Sequence, residues 1–129
     1  RGVWFINDSK STNLGALEVA LCSFRCPIVL IAGGRGKGAA YEPALPLVIT
    51  RVRHLVVLGE DAERIKTAWG GHAPTRHVAD MEEAVRVAAD LASPGDVVLL
   101  SPACASFDMY RNFEERGRHF KQIVATLEE

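Results

Sequence analysis

The sequence predicts an α/β domain built on a mostly parallel sheet, and three observations carry that prediction. Short apolar runs alternate with stretches whose apolar residues recur at helical spacing along the whole chain. Two runs, Ile28-Val29-Leu30-Ile31-Ala32 and Val97-Val98-Leu99-Leu100, are apolar without alternation, the pattern of a strand covered on both faces. The links between elements are short and carry glycine, proline or helix-capping residues.

Val3-Trp4-Phe5-Ile6 is the first strand, made of residues that suit a pleated surface. The polar segment Asn7-Asp8-Ser9-Lys10-Ser11-Thr12-Asn13 follows as a loop rich in N-cap residues, and Leu14, Leu17 and Leu21 give the next helix its apolar face before Pro27. The second strand, residues 28–32, runs straight into Gly33-Gly34-Arg35-Gly36-Lys37-Gly38, where glycine lets the backbone take positive φ and approach a neighbour closely. Pro43 and Pro46 then limit residues 42–48 to a short or irregular helix.

Leu55-Val56-Val57-Leu58 is the third strand, backed by a helix over residues 61–69 with Ala62, Ile65 and Trp69 inward and Gly70-Gly71 as its stop. Residues 75–78 read as a short strand near an edge. Asp80 and Glu83 form a capping-box variant ahead of a helix whose stripe is Met81, Ala84, Val85, Ala88 and Leu91, ended by Pro94-Gly95. The fifth strand is residues 97–100. After it the stripe Phe113, Gly117, Phe120, Val124 and Leu127 predicts a last helix with that face in the core.

A chain of 129 residues fits one domain with a real core. With 15 basic and 16 acidic side chains, the net charge of −1 provides no overall field for nucleic acid or an anionic membrane, so charge-based recognition must be local. The 3 cysteines, Cys22, Cys26 and Cys104, make no disulfide framework and point to a reducing compartment, the cytoplasm. No run approaches the roughly 20 apolar residues of a membrane span. Residues 1–6 do not read as a signal peptide, and a chain that opens almost directly on a strand without an initiator Met is expected to be part of something longer.

Three loops follow strands and would share the carboxyl edge of a parallel sheet, where ligands of such sheets bind. They are the polar loop with Lys10, the glycine loop with Lys37, and Ser101-Pro102-Ala103-Cys104-Ala105-Ser106. Two cations with Ser9, Thr12 and Ser106 suit a small carboxylate or phosphate, while each lysine taken alone reads more readily as a solvated surface group. The glycine loop is not a P-loop, since Lys37 is followed by Gly38. Gly34-x-Gly36-x-x-Ala39, with Glu60 about 20 residues on, matches a dinucleotide fingerprint, so an NAD- or NADP-binding domain is the alternative reading, with a non-catalytic small-anion module as a third. Cys104 lacks a histidine partner for nucleophilic work, Cys22 and Cys26 read as packing residues, the four histidines make no metal pattern, and Glu114 and Glu115 form a solvated face.

Taken together, Asn7 to Asn13, the Gly33-Gly34-x-Gly36-Lys37 loop, and Leu100-Ser101-Pro102-Ala103-Cys104-Ala105-Ser106-Phe107-Asp108 with Asn112-Phe113-Glu114-x-Arg116-Gly117 resemble the C-terminal domain of the Mur ligases, in their UDP-N-acetylmuramoyl-L-alanine:D-glutamate ligase branch. The resemblance implies a Rossmann-like three-layer fold with about six strands. It makes residues 1–129 a single closing domain of a three-domain enzyme, with residues 1–8 near the junction to a central ATPase domain. It implies a monomeric, cytoplasmic enzyme of peptidoglycan synthesis using ATP and Mg2+, bound mainly by that central domain, and needing no nucleic acid or membrane. By the same resemblance Lys37 pairs with a D-glutamate carboxylate, and Thr12, Ser106 and the backbone near Phe107 and Phe113 donate hydrogen bonds to it. Asp8 and Lys10 face the nucleotide, Lys10 also the reacting centre. Arg35 stands where the family carries an acid and Ser11 where alanine is common, so a contact made by that acid does not transfer. Without an ATP loop the chain alone is expected to be inactive as a ligase.

Overall fold

The computed structural model describes residues 2–38 and 40–127. Five strands pair in parallel, β1 (Trp4–Asn7), β2 (Ile28–Gly33), β3 (Val52–Leu58), β4 (Thr75–His77) and β5 (Val97–Leu100), in the order β1-β5-β2-β3-β4. The resemblance implied about six strands. The four apolar runs and the short segment at residues 75–78 are the five strands found, and the one antiparallel contact among the described residues is an isolated bridge between Arg35 and Ala105.

Both faces of the sheet are covered. Leu30, Leu55 and Leu99 point to the layer of α1 (Leu14–Cys22), α2 (Leu45–Arg51) and α3 (Ala62–Trp69), while Val29, Val56 and Val98 point to α4 (Met81–Leu91) and α5 (Phe113–Ala125). The steps from β1 to β4 carry their helices on the first face. The return from β4 to β5 carries α4 on the other, as right-handed crossovers require. The three-layer α/β expectation therefore holds.

Several local expectations change. Edge position leaves β1 half covered and Trp4 69% exposed, so this run is less enclosed than β2 or β5. Residues 42–48 form a 3-10 turn, Glu42–Ala44, that runs into α2, with Pro43 and Pro46 in first turns, where a missing N–H costs nothing. β3 starts at Val52, three residues before its apolar run, because α2 enters it without a loop. Asp80 caps α4 as expected, accepting from Glu83 N at 2.9 Å, and the Glu83 carboxylate reaches back to Ala79 N at 2.8 Å. Cys22 is exposed and Cys26 half-buried, so neither is a buried packing residue.

Candidate functional site

The carboxyl ends of β1, β5 and β2 lie side by side, and their loops leave toward opposite faces: β1 and β2 feed α1 and α2, β5 feeds α5 on the other side. Such a reversal opens a crevice on each side of the middle strand. The loop of residues 101–112 therefore runs through the centre of the site, with the Lys10 loop on one side and the Lys37 loop on the other.

Backbone and hydroxyl groups fasten the three loops together. Asp8 N donates to Leu100 O at 2.8 Å, and its carboxylate accepts from Ser101 Oγ at 2.9 Å. Ala103 N donates to Ser11 O at 2.9 Å, and Ser9 Oγ to Phe113 O at 2.8 Å. On the other side Gly33 N donates to Pro102 O at 3.0 Å, while Arg35 and Ala105 exchange two backbone bonds of 2.9 and 3.0 Å. That bridge ties the start of the glycine loop to the segment that leads into Ser106.

Glycine is needed here for close approach. A side chain on Gly33, whose φ is +136°, would overlap Leu58 O, and one on Gly34 would overlap Ala105 O. The glycine loop is thus spent on packing against its neighbours. The dinucleotide reading fails on the same geometry, because among the described residues no helix opens behind Gly36 to hold a pyrophosphate: a short 3-10 turn follows at Glu42. Glu60, the acid that would bind a ribose, is paired with Arg35 at 3.2 Å. Ala39, the last position of that fingerprint, lies outside the described residues.

Lys10 and Lys37 are exposed and Thr12 is half-buried. Lys10 lines two grooves, one of about 590 Å³ against α1 and one of about 300 Å³ against α5, the second also lined by Ser9, Phe113 and Arg118. Ser106 is 2% exposed, and its hydroxyl has no hydrogen-bond partner among the described residues. Phe107 is 59% exposed. Phe113, expected to begin the core stripe of α5, is 37% exposed and lies outside the core; the stripe starts with Arg116, Gly117 and Phe120. Asn112, whose side chain accepts from Glu115 N at 2.8 Å, caps the helix one position before Phe113. At that first turn the Phe113 ring clears the sheet edge while its carbonyl turns to Ser9.

Cys104 is fully buried, 3.1 Å from Tyr41 Oη, and burial pushes its thiol up to about 11, the opposite of what a nucleophile needs. Burial first, then the 2.5 Å hydrogen bond to Asp61, holds the Tyr41 phenol protonated as well.

Comparison with known proteins decides the family. The family model described as "Mur ligase, glutamate ligase domain" matches residues 1–104. The chain belongs to the Mur ligase family. A Symbiobacterium thermophilum protein named "UDP-N-acetylmuramoylalanine--D-glutamate ligase" is 54% identical over 129 residues, covering 98% of this chain and 28% of its own length. Proteins of the same name from Salinibacter ruber and Chlamydia caviae are 56% and 44% identical over 126 and 127 residues, or 97% and 98% of this chain and 27% and 30% of theirs. The chain thus spans between a quarter and a third of these relatives.

Two residues of this Mur ligase domain escaped the reading of its sequence as parts of the site. Arg116 is 3% exposed and reaches Ser9 with two of its nitrogens. Gly117 lets α5 approach β1, since a side chain there would come within 2.8 Å of the Asn7 amide. The spacing Arg116, Gly117, Phe120, Ile123 was the available signal: it places a charge on the inward face of a helix.

Proposed function

We propose that this chain is the D-glutamate-binding, closing domain of a cytoplasmic, monomeric ligase that adds D-glutamate to UDP-N-acetylmuramoyl-L-alanine in peptidoglycan precursor synthesis. In the whole enzyme the muramoyl-alanine carboxylate takes the terminal phosphoryl group of ATP. The D-glutamate amine then attacks the acyl carbon, loses a proton, and phosphate leaves as the amide forms.

The observation that carries this reading is the buried Ser106 hydroxyl, which has no hydrogen-bond partner among the described residues. A buried polar group is ordinarily paired, and one left over next to the bridge that ties the glycine loop to its own segment suits an incoming carboxylate. Lys37 supplies the cation, Thr12 a second hydroxyl, and the backbone near Phe107 and Phe113 the fixed donors. Donors held by the fold need no reorganisation when the ligand arrives. Asp8 and Lys10, one β-strand away, face the nucleotide, with Lys10 nearest the reacting centre. Among the described residues no three His, Cys, Asp or Glu side chains lie together to hold a cation. ATP and magnesium belong mainly to a central domain joined near residues 1–8, and the chain alone is inactive.

Lys37→Ala in the full-length ligase tests the reading. Lys37 is exposed, so the thermal midpoint should stay where it is. The KM for D-glutamate should rise about 10- to 100-fold, the loss of a charge-assisted contact. An unchanged KM removes Lys37 from the site.

A further inference from the structure

Arg116 is a buried guanidinium with no carboxylate in ion-pair contact among the described residues. Burial lowers its pKa to about 10, so it stays charged at neutral pH. A buried charge is a poor way to stabilise a fold, and this one is placed where the three loops meet. Its Nε donates to Ser9 Oγ and its Nη2 to Ser9 O, both at 2.8 Å. Ser9 Oγ in turn donates to Phe113 O at 2.8 Å. Nη1 has no partner among the described residues and packs against the glycine loop, where a side chain on Gly34 would come within 3.2 Å of it.

We propose that Arg116 is a positioning residue: its fork fixes the backbone at Ser9 and so sets where Lys10 stands relative to Phe113 and the loop of residues 101–112. This rests on the functional reading above. Asp8 is held independently by Leu100 and Ser101, so Lys10, exposed and next to Ser9, depends most on the clamp. Ser9, Lys10 and Phe113 line the same groove of about 300 Å³. The planar guanidinium reaches the hydroxyl and the carbonyl of one residue with two nitrogens in a rigid fork; a lysine ammonium donates from a single nitrogen on a flexible stem and does not fix that geometry.

The test uses the full-length ligase with Arg116→Lys, Ser9→Ala and the double variant. Ser9→Ala cuts the link without removing the buried charge, so it decides the matter should Arg116→Lys fail to fold. Displacing a reacting group by about 1 Å costs up to about 100-fold, so kcat should fall about 10- to 100-fold in each folded variant, more than KM for ATP or D-glutamate rises. The double variant should lose no more than the worse single one, because both cut one link. Wild-type kcat in folded Ser9→Ala, or losses that multiply, overturns the proposal. Lys37→Ala measured alongside separates the two ideas: a raised D-glutamate KM there with normal kcat in Ser9→Ala sinks the clamp alone. An unchanged KM there with kcat lost in Ser9→Ala and Arg116→Lys sinks the D-glutamate contact and supports the clamp.

Discussion

Ser106→Ala removes a hydroxyl that is 2% exposed and has no hydrogen-bond partner among the described residues. Burying such a group unpaired costs about 1 to 3 kcal/mol. Alanine relieves that cost and leaves a gap of one oxygen atom, which gives part of it back, so a net gain of about 0.5 to 2 kcal/mol is expected. For a domain of this length that is a rise of about 2 to 8 °C in thermal midpoint. Thermal melting of the chain followed by far-UV circular dichroism measures the midpoint, and urea unfolding the free energy. Activity should move the other way: a hydrogen bond to a carboxylate contributes about 1.5 to 3 kcal/mol, so the D-glutamate KM of the full-length variant should rise about 10- to 150-fold. Stability lost by more than about 1 kcal/mol, with KM unchanged, would refute the reasoning, because an intramolecular partner would then be holding the hydroxyl.

Gly33→Ala should cost about 3 kcal/mol or more, since it places a Cβ at φ +136° and against Leu58 O; wild-type urea midpoints would contradict the close packing described here. Cys104 should make stability fall in alkali. Its thiol is raised to about 11, so its contribution is complete below the unfolded value near 9 and is lost as pH climbs through 11. Urea midpoints between pH 9 and 11 should therefore drop more steeply for the wild type than for Cys104→Ala, and parallel curves would rule out that contribution.

Much of this architecture was legible because burial on two faces leaves a plain mark. The unbroken apolar runs of β2 and β5 announced central strands, and Asp80 with Glu83 announced the start of α4. The edge position of β4 was legible in its polar residues, but that of β1 left no mark: Val3 to Ile6 is as apolar as a central strand yet forms an edge, because its neighbour is set by where β5 returns. The loops of the site were found through their polar residues and small side chains. Arg116 was passed over because a charge is expected outside, and only its register with Phe120 and Ile123 shows that it points in. Phe113 erred the other way, since its apolar ring continued the stripe past the last turn that faces the sheet.

The strand order β1-β5-β2 has a consequence for biosynthesis. The fifth strand in chain order fills the slot between the first and the second, so these strands cannot join until Val97–Leu100 has emerged. Until then β1 and β2 each present an open edge, and the pairings that β5 makes with them join residues far apart in sequence, Trp4 with Val97 and Ile28 with Val97. Contacts so distant in sequence form late and slowly, and exposed strand edges invite aggregation in the interval. Nascent chains halted before residue 97 should thus depend on chaperones far more than chains released after it.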